Sequence, residues 1–182
     1  MRVTAGTHRG RLLSVPKGDR IRPTSDKVRQ ALFNMLMTYN LPAAATVIDG
    51  FCGSGALGIE ALSRGAGFAV FIDKDISTAR ANIDSLKLDT QSHLIRADIT
   101  HIGRKPDTLQ PAGLVFLDPP YGQDLLPAAL DTLASGGWLE NKALAVCEYG
   151  QGETIRPPAG FTTLDTRRYG TTNLAFLRYG HA

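Results

Sequence analysis

Cysteine is scarce in this chain: Cys52 and Cys147 are the only two in 182 residues. Two thiols cannot build a disulfide framework, nor a zinc site unaided. Both lie in apolar stretches and read as reduced, partly buried side chains. Long apolar runs are also missing. None approaches the ~20 residues needed to cross a bilayer, so no membrane partner is expected. The N-terminus, MRVTAGTHRGRLLSV, has no apolar centre of the kind a signal peptide carries, which points to a cytoplasmic protein. Repeats and low-complexity tracts are absent. What remains is an ordinary globular composition, 43% hydrophobic and 20% charged. At ~100–200 residues per domain, that length supports one principal domain.

The charge is unevenly placed. Residues 1–30 hold Arg2, Arg9, Arg11, Lys17, Arg20, Arg22, Lys27 and Arg29 against only Asp19 and Asp26, in a chain whose total is +3. A basic arm on a mildly acidic body points to a polyanion, most often nucleic acid.

Residues 1–22 read as extended, with a turn at His8-Arg9-Gly10, and predict a β-hairpin. After Pro23, Thr24 or Ser25 can cap a helix. Its apolar stripe is Val28, Ala31, Leu32, Met35, Leu36 and Tyr39, with Lys27, Arg29 and Gln30 off it. From residue 46 short apolar strands alternate with helices. Strands are predicted over 46–49, 68–73, 93–98, 113–118 and 143–149, with helices over 57–63, 76–87 and 125–134. Near-continuous apolar strands between helices imply a parallel sheet covered on both faces. Segments 161–170 and 172–180 have no helix between them and predict a terminal antiparallel pair.

Asp49, Asp73, Asp98 and Asp118 fall at the C-terminal ends of four successive strands. Ligands of open α/β sheets bind at that edge. Four acids in succession suit a ligand that is cationic or rich in hydroxyl and amino donors. Between the first two, Gly53, Gly55 and Gly58 satisfy G-x-G-x-x-G, with Asp73 placed for a ribose diol. A nicotinamide dinucleotide is one reading of this loop, but its pyrophosphate would share space with Asp49, and like charges repel. S-adenosylmethionine reverses the sign. Asp49 suits its cationic methionine end, Asp73 its ribose hydroxyls and Asp98 its adenine amine.

Asp118-Pro119-Pro120-Tyr121 follows the fourth strand. Two prolines remove two backbone donors and fix φ, so nearby carbonyls can face a ligand without local competition. The Asp118 carboxylate and the Pro119 carbonyl can hold the two N–H groups of an exocyclic amine and aim its lone pair at a methyl carbon. Tyr121 offers a face for an unstacked base. No metal or covalent nucleophile is required. The tetrapeptide serves amino groups in general and does not by itself select one base.

With these residues in hand, the chain resembles a known family over nearly its whole length: the bacterial small-subunit ribosomal RNA guanine-N2 methyltransferases, the RsmD-like proteins. MRVTAGTHRGRLL resembles the family's opening hairpin, and the run from Arg22 to Asn34, RPTSDKVRQALFN, its "RPTxDxVRxALFN" block. DGFCGSGALGIEALSRGA resembles the cofactor loop, and DPPY the catalytic loop.

The resemblance implies a class I, Rossmann-like α/β methyltransferase. Its sheet is mostly parallel and seven-stranded and ends in an antiparallel pair. It also implies a basic hairpin extension, 1–22, outside the α/β core, and a methyltransferase domain, 23–182. The implied catalytic residues are Asp118, Pro119, Pro120 and Tyr121. Those for the cofactor, S-adenosylmethionine, are Asp49, Gly50, Phe51, Gly53, Gly55, Ala56, Leu57, Asp73, Lys74, Asp98 and Ile99. Those for RNA are Arg2, Arg9, Arg11, Arg20, Arg22, Thr24 and Arg29. The expected partner is 16S ribosomal RNA within the small subunit or an assembly intermediate, and a monomer is the simplest expectation for the enzyme. The alternatives are an amino-methyltransferase acting on adenine N6 in DNA or on another RNA base, a dinucleotide-dependent oxidoreductase, and an inactive nucleic-acid-binding module. Asp49 and DPPY argue against the oxidoreductase, and the intact set of four acids against an inactive module.

Overall fold

The computed structural model describes residues 1–16 and 26–180. The caps expected at Thr24 or Ser25 lie outside the described residues. The first helix, α1 (Asp26–Leu36), buries Arg29, Leu32, Phe33 and Leu36. The linear pattern places Arg29 off the apolar face, and the structure corrects this. The buried face is turned because a buried carboxylate, described below, takes up the guanidinium.

The alternating pattern from residue 46 folds as β1 (Thr46–Gly50), α2 (Ala56–Ser63), β2 (Phe68–Asp73), α3 (Ser77–Leu86), β3 (Ser92–Arg96), β4 (Ala112–Leu117), α4 (Leu126–Ser135) and β5 (Leu139–Gly150). The tail forms β6 (Phe161–Tyr169) and β7 (Thr172–Tyr179). The seven strands make one sheet in the order β3-β2-β1-β4-β5-β7-β6. The first five run parallel. β7 is antiparallel to both β5 and β6, and so inserts between them. The expected antiparallel pair is present, and the structure adds this insertion.

Strand side chains alternate between faces with period two. Val47, Phe71, Phe116 and Val146 pack with Phe33, Ile59 and Ile83 on the face covered by α1, α2 and α3. Ile48, Ile72, Val115 and Ala145 pack with Leu126, Leu130 and Leu133 under α4. The same alternation carries Asp49, Asp73 and Glu148 to the first face at the C-terminal edge. Leu117 pairs with Cys147, so Asp118 leaves β4 beside Glu148, which stays in β5 paired with Leu174 of β7. Gly58 lets α2 lie directly on this edge. A Cβ there would stand 2.4 Å from the Phe71 ring and 3.2 Å from the Asp49 Cβ.

The described N-terminal residues pair as the expected hairpin and pack on the sheet. Arg2 and Leu12 form an antiparallel bridge, and the Val3 and Gly10 amides donate to Arg11 and Val3 carbonyls at 3.0 and 2.8 Å. Val3 and Leu13 are buried in the same core cluster as Phe33 and Ile59. The described part of the hairpin thus belongs to the α/β core rather than standing outside it. Its own alternation explains this: Arg2 and Leu12 face out, while their neighbours Val3 and Leu13 face in. Both cysteines are buried and free, and burial pushes both thiols up from the ordinary range.

Candidate active site

A cavity of about 840 Å³ opens at the C-terminal edge of the sheet. Of the residues singled out for cofactor and chemistry, Asp49, Phe51, Gly53, Ala56, Leu57, Asp73, Lys74, Asp98 and Ile99 line it together with Asp118, Pro119, Pro120 and Tyr121. Gly50 and Gly55 do not. Gly50 sits within the sheet, where a Cβ would meet Ile99 at 2.4 Å and Leu117 at 2.8 Å. Gly55 caps α2 with φ 75°. Both shape the loop from behind.

Each acid is held by its own element. Asp49 is almost fully buried and accepts the Gly58 N–H at 2.8 Å, one of the free donors of the first turn of α2. Burial raises its pKa to about 7, with the Gly58 bond lowering it and the Asp73 charge raising it further. Asp73 accepts the Gly53 N–H at 2.9 Å and the Asp75 N–H at 3.1 Å, so both carboxylate oxygens are oriented before any ligand arrives. Asp98 accepts the Thr100 hydroxyl at 2.6 Å and the Thr100 N–H at 3.0 Å, and pairs with Lys74 at 2.9 Å. These partners, the Thr100 hydroxyl foremost, hold its carboxyl well below the usual range.

The DPPY loop is fixed from β5. The Tyr121 hydroxyl donates to Glu148 Oε1 at 2.7 Å, and burial together with that bond pushes the phenol above its ordinary value. Glu153 accepts the N–H of Gly122 through one oxygen and that of Gly150 through the other at 2.6 Å. Glu148 and Glu153 were not singled out from the sequence. Glu148 obeys the same rule as the four recognised acids, since it too ends a parallel strand, in ALAVCEY.

The cavity lining also includes Met1, Val15, Pro16 and Arg29. Arg29 is 1% exposed. It donates to Glu60 Oε2 at 3.4 Å, to Asp26 Oδ1 at 2.9 Å and to the Arg2 carbonyl. The structure thus places Arg29, expected among the RNA contacts, inside a buried hydrogen-bonded network at the cavity edge. Arg2, Arg9 and Arg11 are exposed on the hairpin, with Arg11 donating to the Ser85 carbonyl at 3.3 Å. Arg20, Arg22 and Thr24 lie outside the described residues. Glu60, also missed, is wholly buried. Its one sequence signal is an acid within an otherwise apolar eight-residue helix.

The carboxylates that line the cavity suit a cationic, donor-rich ligand. A buried carboxylate pushed to about 7 gains from a cation and loses against a pyrophosphate. Gly53, at φ 51° with open space where a Cβ would stand, lets backbone approach a ligand beside Asp73. Such a sheet, with this cavity at its carboxyl edge, defines a class I methyltransferase. Residues 1–178 match the family described as conserved hypothetical protein 95. The chain belongs to that family, the RsmD-like methyltransferases.

Two relatives are named ribosomal RNA small subunit methyltransferase D. The one from Haemophilus influenzae is 34% identical over 174 residues, covering 93% of this chain and 89% of that one. The one from Escherichia coli K12 is 36% identical over 151 residues, covering 81% and 74%. Among solved structures, the Escherichia coli protein yhhF, provisionally named a methyltransferase, superposes with a TM-score of 0.85 at 30% identity, over 99% of this chain and 98% of that one. A Haemophilus influenzae protein provisionally named a methylase gives 0.79 at 31% identity, over 99% and 98%.

Proposed function

We propose that the protein transfers a methyl group from S-adenosylmethionine to the exocyclic N2 amine of a guanine in 16S ribosomal RNA. One observation carries this reading: a single cavity is lined both by the strand-end acids Asp49, Asp73 and Asp98 and by the Asp118–Tyr121 loop. The names of the Haemophilus and Escherichia relatives support ribosomal RNA of the small subunit as the acceptor.

S-adenosylmethionine, when bound, supplies an electrophilic methyl carbon on a cationic sulfur. Asp49 holds the cationic end of the methionine moiety, and ionises as it does so. Asp73 accepts from the ribose hydroxyls, and Asp98 with Ile99 takes the adenine. Asp118 and the Pro119 carbonyl accept the two N–H groups of the acceptor amine. That amine is a poor nucleophile while its lone pair is delocalised into the base, and two acceptors draw it towards tetrahedral geometry. Tyr121 stacks the base. The amine nitrogen bonds the methyl carbon as the carbon–sulfur bond breaks, the neutral thioether S-adenosylhomocysteine leaves, and one amine proton passes to solvent; catalysis is positioning and electrostatics, with no covalent enzyme intermediate. Arg2, Arg9 and Arg11 hold phosphates without reading sequence.

The test is transfer of labelled methyl from S-adenosylmethionine to ribosomal RNA from a strain lacking this gene, followed by identification of the nucleoside by mass. N2-methylguanosine in 16S RNA is the expected product. N6-methyladenosine, or label confined to DNA, would overturn the assignment.

A further inference from the structure

Pro119 and Pro120 leave their carbonyls open to an amine, but the same two residues have no N–H with which to anchor the loop. The structure shows what anchors it. Two carboxylates, Glu148 in β5 and Glu153 three residues past its end, grip the residues that follow: Glu148 takes the Tyr121 hydroxyl at 2.7 Å and Glu153 takes the Gly122 N–H. Glu153 also ties in Gly150, so loop and strand end form one unit. The Tyr121 side is unusual for a surface aromatic. The residue is 48% exposed, yet its hydroxyl is bonded to a carboxylate that is only 6% exposed. An exposed ring with an anchored tip is a surface whose orientation is settled before anything lands on it.

We propose that Glu148 is a positioning residue for the acceptor: through the Tyr121 hydroxyl it fixes the ring on which the acceptor base stacks. This rests on the reading of the site as an amino-methyltransferase acting on RNA. A rigid aromatic platform costs the base no rearrangement on arrival, so the effect falls on acceptor binding and alignment. Donor binding depends on Asp49, Asp73 and Asp98 and is independent of it.

The experiment is a double-mutant cycle with Glu148→Ala and Tyr121→Phe, plus Glu148→Gln, using unmodified 16S ribosomal RNA transcript. Acceptor Kd without donor, kcat and KM are measured, together with the affinity for the donor analogue lacking the methyl group. E148A should lower kcat/KM by about 10–150-fold, the range for losing a hydrogen bond to a charged partner, mainly through KM and acceptor Kd. Donor-analogue affinity should not change. Y121F should lose a similar factor, and E148A/Y121F should be no worse than E148A, because both remove one interaction. E148Q, whose amide oxygen can still accept from the phenol, should recover most of the loss.

Multiplying losses in the double variant, or wild-type acceptor binding in E148A, would overturn the proposal. A loss in E148Q equal to that in E148A would also overturn it, since charge rather than the phenol bond would then matter. Y121F keeps Glu148 and changes one exposed side chain, so it reports even where E148A does not fold. Absence of methyl transfer by the wild-type enzyme would instead refute the proposed function.

Discussion

Glu60 and Thr4 are 56 residues apart in sequence, and the Glu60 carboxylate takes both the N–H of Thr4 at 2.8 Å and its hydroxyl at 2.6 Å. The same carboxylate accepts from Arg64 at 2.7 Å and from Arg29 at 3.4 Å. One buried acid therefore joins the hairpin, α1 and α2, and through Arg29 reaches the cavity wall. Burial alone would push this carboxyl up, but the Thr4 and Arg64 hydrogen bonds carry it below its ordinary value.

Replacing Glu60 by Ala would leave two guanidinium groups and two Thr4 donors without their shared acceptor. Removing one partner from a buried charged network costs about 3–5 kcal/mol. E60A should lose stability of that order in urea unfolding, far more than exposed substitutions such as Arg9→Ala. A midpoint within a few tenths of a molar of wild type would show that the network contributes nothing to stability.

With Asp49 on the methionine end of the donor, binding should depend on pH. Its pKa is raised to about 7 in the folded chain from an ordinary 3.8. The folded protein therefore keeps a proton that the unfolded chain releases, and on this account stability falls as pH rises from about 4 to 7, then levels. The ammonium of the methionine moiety, which the methyl-lacking analogue keeps, needs the ionised form. Affinity for the methyl-lacking donor analogue should fall about tenfold for each pH unit below 7 and flatten above it. Asp49→Asn should bind weakly with that slope removed. Titration calorimetry in buffers of different ionisation enthalpy checks both points, and a pH-independent affinity in the wild type would remove Asp49 from the ligand.

Asp118→Asn keeps the shape of the loop but turns one acceptor oxygen into a donor NH₂. The turnover number should collapse by two or more orders of magnitude, about 3 kcal/mol or beyond in the transition state, while donor affinity changes little. Single-turnover kinetics on saturating RNA is the measurement. Near-normal turnover would dismiss the amine clamp.

The sheet, its strands and the four acids at their ends were legible because each rests on local pattern: apolar runs of strand length, a glycine turn, an acid after each run. The edge that positions the chemistry was less so. Arg29 reads as a surface charge because the residue that buries it, Glu60, lies 31 positions away. Val3 and Leu13 give no linear hint that α2 and α3 present an apolar surface to the hairpin. Glu153 grips Gly122 only because β5 ends beside the DPPY loop, a matter of strand order. Glu148 was within reach, since it ends the fifth parallel strand as the recognised acids end the others.

The hairpin arginines offer the cleanest separation of RNA binding from chemistry. Deleting the whole segment would not do so, because Val3 and Leu13 are core residues and Thr4 is bonded to Glu60. Arg2, Arg9 and Arg11 are exposed, and replacing them by Gln removes charge while sparing those interactions. The triple variant should therefore fold with wild-type stability and bind the donor analogue normally, since Asp49, Asp73 and Asp98 are untouched. RNA affinity should fall, most at low salt. Every arginine–phosphate pairing that the substitutions abolish should make the slope of log affinity against log salt shallower by about 0.7–0.9. If all three arginines pair with phosphates, the slope should change by roughly 2–3. RNA binding measured across a salt series, from about 50 to 300 mM, for the wild type and the triple variant decides the matter. A shallower slope with unchanged donor affinity assigns the hairpin to phosphate binding. Equal slopes would make these arginines ordinary solvated charges and place RNA recognition elsewhere on the domain.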